Sequence, residues 1–362
     1  MGKNKGKFRH LMRIKKIVVG VGMLLAMGAC DKSTTPTPTG VYSQGVFTIN
    51  EGLFGNTSGT ITHYDRAGKT TEKIFWKQNQ RDLGDVVQSL AFQGDKGYVV
   101  VNNSNKIEVV DAHTFSELAQ ITNLQLPRYC LPISNTEAYV TEWGTDGLTG
   151  SLARLDLVTN TVVERFSIGV GPEHLQLKND WLYITHPGGL GDNNIVTVFD
   201  VQQKQVVTTI AVGDRPSGIV EDQQGNLWVA CAGKVAYLNY PTIDTTNSTA
   251  SQLVAIDPNT HTILQQIDFG KGNPIGNLIS NQSNQLFYTK AGQVWSYELG
   301  TGVETALFSG NFYGLGYDPN QQLIYAATSS GVNPALVQLY DLDGNWVKEY
   351  TAGVFANGFV FR

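Results

Sequence analysis

The 362-residue chain has six histidines, three cysteines and scattered acids with which to do chemistry, and their spacing decides which chemistry is open. His10, His63, His113, His174, His186 and His261 contain no His-x-x-x-His pair, and Cys30, Cys130 and Cys231 contain no CxxC. The sequence therefore lacks the usual zinc spacings. His174 and His186 are the two histidines that fall together near a candidate site, with Glu173 beside them, but two nitrogens and one carboxylate leave a metal without a defined further ligand. No Gly-x-Ser-x-Gly elbow occurs, and GGLGDNN after Pro187 opens no helix on which a phosphate could sit. Carboxylate pairs for glycoside hydrolysis can come from distant segments, yet nothing marks such a pair. No catalytic residue, metal or cofactor is assigned.

What remains is binding chemistry. Trp76, Arg81, Arg128, Tyr129, Trp143, Glu173, His174, His186, Arg215, Phe312, Tyr313 and Asn357 form a mixed set of aromatic rings, charges and amides. Flat rings give contact area at low entropic cost, and arginine adds a planar set of donors. Arg128, Trp143, Arg215 and Tyr313 are the principal candidates. The remaining cysteines after Cys30, Cys130 and Cys231, stand in strand-like text about one hundred positions apart, which fits buried free thiols.

These residues recur at one place in a repeat. The leading apolar residues Leu90, Leu131, Leu175, Ile219, Leu278, Leu315 and Phe359 are separated by 41, 44, 44, 59, 37 and 44 positions. The long gap contains a polar insertion, Tyr240 to Ser251, expected as a surface loop. Each unit later closes a strand on an acid: Asp65, Asp111, Asp156, Asp200, Asp257, Glu298 and Asp341. Turn text follows each, so these acids are expected to accept main-chain N–H bonds rather than to catalyse. Units of about 43 residues with four short strands, and no sustained helical periodicity, predict an all-β fold, the seven-bladed β-propeller with four-stranded blades. Helices have no expected place. The first unit, VFTINEG, GTITHYD and TTEKIF, has three strands; the C-terminal VFANGFVFR supplies the fourth and closes the ring. In such a ring the starts of the innermost strands and the loops between second and third strands converge on one central basin. Glu51, Phe54, Asn103, Asn273 and Lys290 fall at those places too.

The N-terminal segment carries an expectation of where the ring resides. Lys15 and Lys16 precede the apolar run Ile17 to Ala29, too short to span a bilayer, and MGAC follows with small residues before Cys30. Residues 1–29 are expected to be a lipoprotein signal, Cys30 the acylated residue, and residues 30–44 a Ser/Thr/Pro tether to one domain over residues 45–362. Seven of the 26 Lys and Arg lie in residues 1–29, which hold no Asp or Glu; the remainder carries 19 basic against 31 acidic residues. Nucleic acid is not an expected partner, because phosphate contacts need clustered basic residues.

NEGLFGN, RDLGDVVQSLAF, VVNNSNKIEVVD and GDRPSGIVEDQQGNLWVACAG resemble the YncE-like seven-bladed propeller lipoproteins of certain Gram-negative bacteria, over essentially all of residues 45–362. The resemblance implies a cell-envelope lipoprotein, anchored at the outer membrane by its lipid alone. It also implies capture of a bulky ligand such as a corrinoid or a ferric siderophore for a TonB-dependent outer-membrane transporter. Two alternatives stay open: a platform that binds a polypeptide on the same face, and a propeller lactonase or other hydrolase.

Overall fold

The computed structural model describes residues 40–328 and 331–362. The expected signal segment 1–29, Cys30 as the expected site of acylation and most of the expected tether lie outside them. The described residues form seven four-stranded antiparallel sheets, the blades of a seven-bladed β-propeller. The second to seventh blades each run from inside outward in chain order, with innermost strands Val87–Gln93, Pro127–Pro132, Leu175–Lys178, Pro216–Glu221, Ile275–Ser280 and Phe312–Asp318. All seven apolar residues that mark the repeat lie on innermost strands. Blades pack through the faces of their second strands, where Tyr98, Tyr139, Tyr183 and Tyr325 stand at the third position and are fully buried.

The first blade is assembled from both ends of the chain. Its sheet order places Ala356–Phe361 inside Val46–Asn50, followed by Thr60–Tyr64 and Thr70–Thr71. Val46 pairs with Phe361 and Thr48 with Phe359, while Gly45 and Arg362 exchange main-chain bonds of 3.0 and 2.9 Å. Gly45 has φ of 130°, and a Cβ there would stand 2.6 Å from the Tyr64 carbonyl oxygen, so the join requires glycine. Arg66 fastens it further, donating to the Arg362 carbonyl at 2.9 Å and pairing with the buried Asp318.

The repeat acids cap turns. Asp111 accepts from the main chain of His113 and Thr114 at 2.9 and 2.8 Å, Asp156 from Val158 and Thr159 at 2.7 and 3.0 Å, and Asp200 from Gln202 and Gln203 at 2.7 and 2.9 Å. The Thr159 and Val158 N–H groups hold the Asp156 carboxyl below its ordinary range. Glu298, one methylene longer, instead takes the side-chain amide of Asn284.

Two expectations need correction. A short helix, Ile74–Asn79, occupies text read as strand. The outermost strand of the first blade is only two residues long, so the exposed edge of Thr60–Tyr64 is covered by this helix, which buries Ile74 and Phe75 between blades. The polar insertion is not merely a loop either. Ala236–Asn239 pairs with Thr242–Asp244 in a two-stranded hairpin, and Asp244 closes the following turn by accepting from Thr246 and Asn247.

Candidate functional site

One local device, repeated around the ring, builds the site. The innermost strands begin with two residues set against one of the neighbouring strand. The ladder skips Gln88, Ser217, Tyr313 and Asn357 singly, and skips Arg128 with Tyr129 and Asn277 with Leu278 as pairs. In the fourth blade Glu173 and His174 both bond to Thr185, as donor and acceptor, at 2.8 and 3.1 Å. A bulge frees a residue from ladder pairing and re-aims its side chain, here toward the ring axis. Just upstream, Val86, Leu126, Gly171, Arg215 and Phe355 have φ between 49° and 59°. The carbonyls of Val86, Leu126, Arg215 and Phe355 accept the N–H of Asn102, Trp143, Ala232 and Glu51, each the first residue after a second strand. Glu51 and Trp143 are thus equivalent positions in different blades, stitched to the strand starts they face.

The bulged residues line a central cavity of about 560 Å³, floored by Leu90, Ile219, Leu278, Leu315 and Phe359. A recess of about 390 Å³ adjoins it at the rim, lined by Phe54, Trp143, Tyr313 and Phe355 around Glu51 and Arg128. Two charged groups organise the lining. Arg128 donates through Nε and Nη2 to Glu173 at 2.7 to 3.1 Å and lies 4.0 Å over the Trp143 ring, whose Nε1 also donates to Glu173 at 3.0 Å. Glu51 accepts from Tyr313 Oη at 2.7 Å and from Asn357 Nδ2 at 2.9 Å. Burial raises the Glu51 carboxyl above its ordinary range against the pull of these two donors. Burial also raises the Tyr129 and Tyr313 hydroxyls and lowers His174, whose ring packs 3.9 Å from Tyr129, so His174 is neutral at pH 7. Gln88 Oε1, His174 Nδ1 and Asn357 Oδ1 are buried with no hydrogen-bond partner, while the Gln88 side chain meets the Tyr129 hydroxyl and the His174 ring the Ser217 main chain. The Asn357 amide is oriented by its own contacts: Nδ2 faces Glu51 and the Gln88 carbonyl, two acceptors, which leaves Oδ1 as the free atom.

Of the residues expected at the rim, Arg128, Tyr129, Trp143, Glu173, His174, Tyr313 and Asn357 converge on this cavity, joined by Glu51. The others do not. Trp76 sits exposed on the short helix, and Arg81 beside it is held by Glu108 and Glu117 over the Phe75 ring. Arg215 turns outward to Asp192 at 2.6 Å, and Phe312 is buried against Phe308. Lys290 is taken up by Glu304, Phe269 and Trp295, and Asn103 by Asp85. Sequence reasoning missed Gln88, Ser217 and Asn277. Gln88 and Ser217 stand two places before the apolar repeat residue, as do Tyr129, Glu173, Tyr313 and Asn357, so that offset was the available signal.

His186 is fully buried inside its blade. Its Nδ1–H donates to the Val170 carbonyl at 3.1 Å, while Nε2 accepts from Thr197 Oγ1 at 2.9 Å. Burial lowers its pKa to about 4. The unfolded chain therefore binds this proton more readily than the folded one, and stability falls as pH drops from about 6.5 toward 4, by up to about 3 kcal/mol. Urea titrations across that range should show the loss, and a His186→Asn variant should flatten it; an unchanged slope in the variant removes His186 as its cause.

Among the described residues no three His, Cys, Asp or Glu side chains are gathered to hold a metal ion. Residues 44–362 match the family described as "Domain of unknown function (DUF5074)". The chain belongs to the DUF5074 family. No curated protein matches it in sequence. The DUF5074 ring is similar to a quinonprotein alcohol dehydrogenase-like protein from Bacteroides thetaiotaomicron (TM-score 0.65, 14% identity, covering 88% of this chain and 78% of that one). It is similar as well to a putative 6-phosphogluconolactonase from Bacteroides fragilis (0.63, 12%, 92% and 100%) and to a periplasmic gluconolactonase from Pseudomonas aeruginosa (0.62, 13%, 87% and 99%). At these identities the likeness is one of fold.

Proposed function

We propose that this DUF5074 chain is a ligand-capturing lipoprotein of the bacterial cell envelope. It is tethered through Cys30, holds part of a bulky nutrient in the central cavity and passes it to a TonB-dependent outer-membrane transporter. The observation that carries the reading is the gathering of three buried polar atoms without partners, Gln88 Oε1, His174 Nδ1 and Asn357 Oδ1, on one cavity already shaped around the Arg128–Glu173 pair. Buried polar atoms are paired in folded proteins, so a bound molecule is the natural source of the missing donors. The cavity volume lies within the range of small-molecule sites. Its chemistry also ranks the two nutrient classes that the sequence resemblance implies. A corrinoid carries primary amides whose N–H groups suit these acceptors, whereas a ferric catecholate siderophore brings negative charge toward Glu51 and an arginine already matched by Glu173. A hydrolytic reading draws less support, because Glu173 is engaged by Arg128 and Trp143, and Glu51 by Tyr313 and Asn357.

Calorimetric titration of residues 40–362 with cyanocobinamide, cyanocobalamin and a ferric catecholate tests this directly. Corrinoid binding is expected, weakened about tenfold by Tyr313→Ala and changed less than about twofold by Arg215→Ala, whose exposed ion pair faces away from the cavity. Binding of the catecholate alone would reverse the ranking. Binding of neither, in protein that melts cooperatively, would overturn the nutrient assignment.

A further inference from the structure

We infer that Glu51 forms a subsite of the cavity that takes a positively charged amine, beside the positions suited to neutral amides. The inference rests on the reading of the central cavity as a ligand site and adds the charge class of what enters it. Three carboxylate and guanidinium groups face one another across the axis: Glu51, Glu173 and Arg128. All the hydrogen bonds of Arg128 to a carboxylate go to Glu173, which also receives Trp143. That pair is closed. Glu51 is left with two neutral donors, Tyr313 Oη and Asn357 Nδ2, and makes no ion pair of its own. Glu51 is half-buried, and a carboxylate drawn partly out of water gains by meeting a cation, since neutral donors recover only part of the lost hydration. The raised pKa of its carboxyl reports the same shortfall.

The surroundings extend the argument. Gln88, only 4% exposed, lines the same cavity with an unpartnered carbonyl oxygen. Its neighbour Asn357 offers a second such oxygen next to Glu51, and His174 Nδ1 is a further unpartnered atom of the lining. An alkylammonium carries three N–H donors and no acceptor, so it suits a lining of carboxylate and carbonyl oxygens. Tyr129, Tyr313 and Phe355 add ring faces that attract a cation while accommodating an apolar body. An anionic ligand would meet these oxygens with like charge.

The test uses three probes of one shape and different charge: phenethylamine, 2-phenylethanol and phenylacetate. Their binding to residues 40–362 is followed by ligand-observed NMR and by thermal shift at low and high salt. The amine is expected to bind at least about tenfold more tightly than the carboxylate, with affinity falling as salt rises. Glu51→Gln keeps the oxygen for Asn357 and the contact with Tyr313 while removing the charge, and is expected to weaken the amine at least about tenfold. Its unliganded melting temperature should not fall, which separates lost binding from lost folding. Equal binding of amine and carboxylate, no binding of the amine, or full amine affinity in Glu51→Gln would each overturn the inference. Corrinoid binding with no amine binding would overturn it and leave the capture reading standing; amine binding without corrinoid binding would do the reverse.

Discussion

A chain ending at Gly353 is expected not to fold. The missing residues 354–362 supply the innermost strand of the first blade, so their loss strips the inner of the two ladders from Val46–Asn50 and opens a sheet edge at the centre of the ring. Packing is lost as well. Phe359 and Phe361 lie 5.7 and 5.2 Å from the buried Tyr325 ring of the seventh blade, so the tail also joins the seventh blade to the first. Two packed phenylalanines are worth on the order of 5 kcal/mol together, against a margin of about 5–15 kcal/mol for a whole domain. The exposed edge then favours aggregation over a loosened native state. Circular dichroism melts and size-exclusion chromatography of residues 40–353 would decide the matter, and a soluble, cooperatively melting product would falsify the closure.

Removing Glu173 should do the next greatest damage. Its side chain is 8% exposed and that of Arg128 14%, so Glu173→Ala leaves a buried guanidinium without its carboxylate and Trp143 Nε1 without an acceptor. Breaking a buried pair from one side costs about 3–5 kcal/mol, and the open cavity mouth, which admits water, places this case near the lower figure. Replacing both partners, as in Arg128→Met with Glu173→Leu, should recover most of that loss, because neither charge is then stranded. Ligand binding should fail in both variants. Urea unfolding of the single and double variants measures the difference directly; a single variant as stable as the parent would show that the pair does not hold the cavity wall.

The ring was legible because every blade repeats the same physical problem. An apolar residue opening the inner strand and an acid closing a later one recur at blade spacing, and the final VFANGFVFR reads as a strand in need of a partner. The site was legible only where chemical character and position coincided, as at Arg128, Trp143 and Tyr313. Gln88, Ser217 and Asn277 escaped because a bulge breaks the two-residue alternation by which a strand's faces are read. His186 and Phe312 were misplaced because they lie at strand ends, where one step decides between the cavity and the space between blades. Trp76 and Arg81 went astray with the short helix, since six residues carry too little periodicity to announce it.

The bulges at the strand starts carry one more consequence. A residue that sits outside the ladder contributes little to holding the blade, so its identity is set by what it meets at the axis. Four such stations, Gln88, Ser217, Asn277 and Tyr313, each on a separate blade, form a part of the lining that can be rewritten one member at a time while the scaffold stays fixed. Stability and chemical selectivity are thereby assigned to different residues. Randomising Gln88, Ser217, Asn277 and Tyr313 together should yield a library in which most members fold and few bind alike, with the charged pair and the tail left as its constants.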